Sequence, residues 1–424
     1  MRSWTWLMAA ILASAASWTY IDRIMLPWEH NVNLEHGWVR EMDDLYPRWV
    51  GTQELLLHGR NPYGAEVSHK IQIASYGHPI EQSYDKPQFE IIDEQRFAYP
   101  VYVAFLLAPT VHANFEGLHH WAPMVLGALT IISIWLWLGV LGWRPPPWLL
   151  LTVVLLVLSS PQIAKGMRLR QFGLLVAFLL ALASWCVTRH RLFLAGVLLA
   201  VSTIKPQMVV LCLVWFLIWS LGDWKKRWPL AGGFVLALGL LAGAGDILVP
   251  GWVRYFLEGL EAYRKYFPLG AVSIAQLILG NWIGGVFSVL AVIVLLVYAW
   301  SRRGIPADSP EFTRMLSLFF MATTLVLPLL WPYNQVFLLL PLLMLIRAWQ
   351  QLPRWDRLGF ALLLAWPFLA SAGMLLFPPP VQSEHRAALL PSALLPLMPL
   401  LFFWLTFRLR HRETQAHLGA ASVS

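Results

Sequence analysis

The sequence predicts an all-α protein that crosses a membrane about twelve times. Three observations carry that expectation. Of 424 residues, 58% are hydrophobic and only 13% are charged, against about 25% charged in an ordinary soluble domain. The apolar residues fall into repeated runs of about 14 to 22, near the length a helix needs to cross a bilayer. Basic residues gather in alternate turns between those runs, as cytoplasmic loops do.

The first run, residues 1–21, reads as a spanning helix, though it also fits a cleaved signal peptide ending near Ala13-Ser14-Ala15. Further runs lie at 118–141, 148–161, 171–188, 191–204, 206–221, 228–248, 283–300, 313–330, 331–346, 358–377 and 390–408. The stretches 98–112 and 267–281 are apolar but interrupted by Pro and Gly, and read as re-entrant or interfacial pieces. With the N-terminus inside, the cytoplasmic turns hold Arg144, Arg189 to Arg191, Lys225 to Arg227, Arg302-Arg303, Arg347 to Arg357 and Arg408 to Arg412. Both termini then lie in the cytoplasm of a cell-membrane protein. Four regions follow: a first helix at 1–21, a large external loop at 22–98, a core of about eleven further helices at 99–408, and a cytoplasmic tail at 409–424.

Several functions are disfavoured. Cys186 and Cys212 both sit inside apolar runs, so no disulfide framework or thiolate metal site is suggested. No GxGxxG, Walker A or HExxH motif occurs. His119-His120 has no further ligand at a telling offset, so no metal site is predicted. The net charge of +8 fits cytoplasmic turns facing membrane lipids, and no nucleic-acid partner is expected.

The external face carries the candidates for chemistry. Residues 22–98 hold more than half of the chain's 23 acidic residues and under a quarter of its 31 Lys and Arg. A loop of that length is uncommon without a function. Residues 249–270 interleave aromatics and charges, and read as a short interfacial helix. In the first loop, Glu41, Asp43 and Asp44 precede an amphipathic helix that tolerates Pro47 in its first turn, ends at Gly59 and turns at Asn61-Pro62. Asp44 reads either as the N-cap of that helix, as half of a solvated acidic pair with Asp43, or as a general base for a hydroxyl nucleophile.

A second group is basic. Lys165, Arg168 and Arg170 lie with Gln171 in an external turn, against the charge rule that the other turns obey, and an anionic partner would explain them. Lys205 falls at the break between two short apolar runs. It either snorkels to headgroups or helps hold a phosphate, offsetting charge on a departing oxygen. A third group, Tyr99, Trp331, Tyr333, Asn334 and Gln335, reads as interfacial aromatic belt or as sugar-stacking and hydroxyl-recognising residues; Ser273 and Gln276 are weaker candidates.

Together these features resemble the GT-C superfamily of polytopic glycosyltransferases that use polyprenyl-phosphate sugars, and more narrowly glycosyltransferase family 87, also called DUF2029. The resemblance rests on Asp44 followed by LYPRWVGTQELLLHGRNPY, on FAYPVYVAFLLAP at 97–109, and on Lys205-Pro206-Gln207 between short helices. Where relatives often show Gly-Gln before a helix, this chain has Arg170-Gln171, with Gly166 upstream.

The resemblance implies a GT-C-like fold and an inverting hexosyltransferase. Asp44 would be the base, with Asp43 the neighbouring alternative. Lys205, Arg168, Arg170, Gln171 and Lys165 would face the donor phosphate, and Asn61, Tyr63, Tyr99, Gln207, Trp331 and Tyr333 the sugar or acceptor. The implied partners are membrane lipids, a polyprenyl-phosphate sugar, and a lipid or glycan acceptor. No cofactor is implied beyond the lipid-linked donor, and no ligand cluster asks for a divalent metal. Rival readings are a transporter or flippase of lipid-linked saccharides, suited by broken helices, and an external glycan polymerase or ligase.

Overall fold

The structure, a computed structural model, describes residues 2–35, 39, 43–80, 95–266, 272–328, 332–377 and 390–421. Its regular elements there are helical. Helix α1 (Arg2–Tyr20) runs through a π-helical segment, Ile21–Met25, into α2 (Leu26–Glu35). The first-loop helices α3 (Leu45–His58) and α4 (Ala65–Tyr76) follow, then a short α5 (Val103–Leu107) and the long α6 (Phe115–Val140). Next come α7 (Pro147–Ser159), α8 (Pro161–Arg168), α9 (Phe172–Thr188), α10 (Leu192–Ser202), α11 (Pro206–Leu221), α12 (Trp224–Leu248) and α13 (Trp252–Tyr266). The last group is α14 (Ile274–Leu279), α15 (Asn281–Ser301), α16 (Pro310–Val326), α17 (Leu339–Arg347), α18 (Arg354–Leu376) and α19 (Met398–Ala421).

The expectation of about twelve crossings is overturned. Among the described residues only α6, α12, α15 and α18 are long and apolar enough to cross a membrane, with a fifth if α7 and α8, bent by 58° at Ser160-Pro161, count as one span. The remaining apolar helices have 10–17 residues. At 1.5 Å per residue, α10 is about 16 Å long, roughly half of a hydrocarbon core. Apolarity alone cannot distinguish a residue facing lipid from one facing protein, and that ambiguity produced the overcount. Most of the long helices leave their apolar surface outside the protein: only 11% of the apolar window of α15, 22% of that of α12 and 28% of that of α18 is buried, against 50% for α6. The short α9, in contrast, buries Leu174, Val176, Leu180, Ala181 and Ala183 in the main core. The chain is a multi-pass membrane protein built around a buried set of short helices.

Small residues let those short helices approach. A Cβ on Gly196 of α10 would fall on the carbonyl oxygen of Leu230 in α12 and lie 2.6 Å from the amide of Phe234. Gly233 meets the Phe193 carbonyl in the same way. Close crossings of this kind are how helices pack where lipid removes the hydrophobic drive between them.

The pieces that position the external site form as their local sequence dictates. Gly59, at φ 65°, ends α3, its amide donating to Glu54 and Leu55 carbonyls. The 98–112 stretch gives α5 and a 3₁₀ turn at 108–110, with Val103 and Ala104 fully buried in the core. Of the 267–281 stretch, residues 267–271 lie outside the described residues; the rest contains α14, capped by Ser273, with Gln276 closing the reciprocal bond. That pair is accounted for as a capping box.

Candidate active site

Two neighbouring aspartates at the start of α3 do different work. Asp43 Oδ1 accepts the amides of Leu45 at 2.7 Å and Tyr46 at 3.3 Å, so Asp43 satisfies the orphan donors of the first turn. Asp44 occupies the N-cap position of the backbone, but its side chain makes no capping bond. Of the readings the sequence left open for Asp44, the cap falls away, because Asp43 performs it.

Asp43 is tied down on its other oxygen. Oδ2 lies 2.7 Å from His119 Nδ1 on the first turns of α6 and 3.8 Å from Arg170 Nε. Arg170 Nη2 is 2.6 Å from His119 Nε2, and its Nε and Nη2 both donate to the His119 carbonyl at 3.2 Å. Arginine can only donate, so Nε2 accepts and Nδ1 carries the proton toward Asp43. Arg170 sits at φ 50°, a left-handed conformation rare for a residue with a side chain. Arg170 there meets His119 and Asp43, while the next residue, Gln171, immediately precedes α9. The Asp44 amide completes the dock by donating to the Leu169 carbonyl at 3.0 Å.

Asp44 faces the second cluster. Gln171 Nε2 donates to Asp44 Oδ2, and Gln171 Oε1 accepts from Lys205 Nζ at 2.7 Å. One amide thus links a carboxylate and an ammonium without letting them meet. Arg48, one turn along α3, approaches Asp44 Oδ1 at 3.4 Å and lies 4.6 Å over the Tyr99 ring. Lys205 ends the α10–α11 break ahead of Pro206, with Nζ 5.4 Å from the centre of the Tyr333 ring. Burial raises the Asp44 pKa above the ordinary aspartate value, although Arg48, Lys205 and the Gln171 bond pull the other way. The Asp44 side chain keeps 21% of its surface accessible, against 1% for Asp43. Of the two aspartates, Asp44 is the more accessible.

The remaining predicted residues divide. Tyr63 Oη donates to the Tyr99 carbonyl at 2.6 Å, and Asn61 Oδ1 accepts the Tyr63 amide at 3.0 Å. These two therefore brace the segment carrying Tyr99. Gln207 lies in the first turn of α11, two residues beyond Lys205. Lys165 Nζ contacts Glu29 at 2.6 Å and Arg168 lies 4.0 Å from Asp22, so both are engaged with the α1–α2 segment. Glu41 and Trp331 lie outside the described residues. Among the described residues no group of three or more His, Cys, Asp or Glu could hold a metal ion.

Sequence reasoning missed His119 and Arg48. Arg48 carried a signal, four residues after Asp44 on a helix. His119 carried none, because its partners are distant in sequence. Helix α3 is anchored further by Glu54, which is fully buried and bonded to Lys70 and to Arg60, the latter at 3.0 Å. Burial disfavours the Glu54 charge, but the hydrogen bond and charge of Lys70, with His58 and Arg60, outweigh it and hold the pKa below the usual glutamate range.

A family model, that of glycosyltransferase family 87, matches residues 97–328, more than half of the chain. The chain belongs to glycosyltransferase family 87. It is thus a membrane glycosyltransferase of the GT-C superfamily, and the transporter reading gives way to an enzyme. The match spans Tyr99, His119, Arg170, Gln171 and Lys205, while α3 with its aspartates and Arg48 precedes it. No curated protein and no solved structure gives a match.

Asp43→Asn separates the two aspartates by stability. Asparagine retains an oxygen for the cap but turns an N–H toward the donors of His119 and Arg170. The expected loss is about 2–3 kcal/mol, read as a lower unfolding midpoint in detergent. An unchanged midpoint would remove Asp43 from this structural role.

Proposed function

We propose that this family 87 enzyme transfers a hexose from polyprenyl phosphate to a hydroxyl of a lipid or glycan acceptor, at the external face of a bacterial inner or plasma membrane. The observation that carries this reading is the chain Asp44–Gln171–Lys205, which sets a partly accessible carboxylate beside a buried ammonium through one amide. Asp44 takes the proton of the acceptor hydroxyl. The acceptor oxygen then bonds to the anomeric carbon while the bond from that carbon to the lipid phosphate oxygen breaks. The electron pair leaves with polyprenyl phosphate, and Lys205 offsets the charge that develops there. A single displacement inverts the anomeric centre.

The raised pKa of Asp44 suits a base, since a carboxylate with greater proton affinity abstracts a proton more readily. Tyr333 beside Lys205 offers an aromatic ring for the sugar, while Arg48 covers the face of Tyr99. In this reading Lys205 and Gln171 are the primary donor-phosphate residues. Arg170 acts through Asp43, and Lys165 and Arg168 form the wall toward α1 and α2. Gln207 borders the sugar or acceptor, while Asn61 and Tyr63 brace Tyr99.

The same reading puts residues 22–98 outside and the Lys225–Arg227 and Arg302-Arg303 turns in the cytoplasm. The basic turns support it. Arg227 donates to the carbonyls of Trp219, Arg303 and Ile305, at 2.8, 2.7 and 3.0 Å, so the Lys225–Arg227 and Arg302-Arg303 turns share one face. Lys205 and Trp219 lie at opposite ends of α11, about 20 Å apart at 1.5 Å per residue.

Three measurements test the reading. Cysteine labelling is expected to reach the first loop from outside and Lys226 and Arg303 positions only from inside; a cytoplasmic first loop refutes the orientation. Purified protein is expected to turn over a polyprenyl-phosphate sugar and to ignore nucleotide sugars in a competition panel, and saturable use of a nucleotide sugar alone would sink the donor class. Asp44→Asn is expected to lower turnover by about 10²–10⁴-fold with donor affinity little changed. Because Asp44 must be ionised to act, wild-type activity should fall as pH drops through its pKa, with the acid limb above an ordinary aspartate's. That limb should vanish in the residual activity of the variant. Full activity in Asp44→Asn would exclude it as the base.

A further inference from the structure

Far from the aspartates, two cavities of opposite character adjoin. An apolar groove of about 580 Å³ runs between α15, α16 and α19, lined by side chains such as Leu290, Val294, Leu318, Ala322 and Phe403. A polar cavity of about 610 Å³ lies beside it, lined by Asp308, Ser309, Thr313, Arg347 and Gln351. Arg314 and Thr406 line both. The pair therefore has the form of an amphiphile site, with a long apolar slot leading to a polar end.

Among the described residues, Arg314 and Arg347 face the polar cavity with one acid, Asp308, and Glu311 lines the slot beside Arg314. Arg347 Nη1 also donates to the Leu141 carbonyl at 2.5 Å, which fixes its position at the rim. The nearby Glu311 is already matched by Arg302 at 3.5 Å. Helix α16 begins here, with Ser309 capping it by accepting the Phe312 amide at 3.2 Å, so its positive end adds to the two guanidiniums. The slot opens along α15, a lipid-facing helix. In a bilayer, what fills such a slot is a hydrocarbon chain.

This site is separate from the one around Asp44. His119, at the start of α6, touches Asp43, whereas Val140, at its end, lines the polar cavity. At 1.5 Å per residue the helix between them rises about 30 Å, a full hydrocarbon thickness. A donor whose phosphate lies at Lys205 cannot also place it here.

We propose that these joined cavities bind one membrane phospholipid with an anionic headgroup, an acyl chain in the slot and the phosphate between Arg314 and Arg347. The lipid belongs to the face that carries the basic turns and fills the gap between α15, α16 and α19. The proposal does not depend on the donor or on Asp44.

Native mass spectrometry of the full-length protein, delipidated in detergent and titrated with phosphatidylglycerol or phosphatidylcholine of equal chains, tests it. The expected result is one phosphatidylglycerol held about tenfold more tightly than phosphatidylcholine. Arg314→Gln should cut that preference about fivefold, whereas Ala322→Trp, which fills the slot, should weaken both lipids alike. Equal affinity of the wild-type protein for the two lipids overturns the proposal, whatever the variants do. So does a preference unchanged in Arg314→Gln, or displacement of phosphatidylglycerol by equimolar polyprenyl phosphate, which would assign the slot to the donor lipid.

Discussion

The site depends on one buried carboxylate, Asp43, and not on the more accessible one beside it. Asp43 caps α3 with one oxygen and holds His119 with the other, and thereby joins the first loop to the start of α6 and to the turn before α9. A buried charge needs compensation on every side, so Asp43 can occupy only the place where an amide pair, an imidazole and a guanidinium converge. Fixing Asp43 fixes the next residue. Asp44 then projects away from the cap, where Gln171 and Arg48 meet its carboxylate.

A similar logic governs Lys205. An ammonium in an apolar core requires a partner, and direct contact with Asp44 would neutralise both. Gln171 prevents that collapse by accepting from one and donating to the other. The carboxylate and the lysine are thus linked through one amide and held out of direct contact. Tyr333 supplies a further aromatic face to Lys205. The arrangement explains why a lysine in the α10–α11 break is tolerated so far inside the protein.

The membrane shaped the rest. Long helices such as α15 expose apolar surface to lipid, while short helices such as α9 bury theirs against protein. The short helices can end where chemistry needs them because they do not have to span a bilayer. Gln171 immediately precedes α9, and Lys205 lies in the break between α10 and α11. Catalytic candidates thus stand at helix ends, where backbone groups are unpaired and the chain can turn.

Composition and periodicity determined that the chain is helical and membrane-bound, that the first loop holds an amphipathic helix ending at Gly59, and that Asp44 and Lys205 merit attention. Short motifs were enough to suggest family 87. These features are local, and local sequence encodes them. Only the tertiary structure decided how many helices are long enough to span, because an apolar side chain reads the same whether it meets lipid or protein. Only it assigned the cap to Asp43 and freed Asp44, since adjacent aspartates offer the same chemistry until their neighbours are known. His119 and Arg170, far from Asp43 in sequence, make that choice through contacts that exist only once α3, α6 and the turn before α9 have come together.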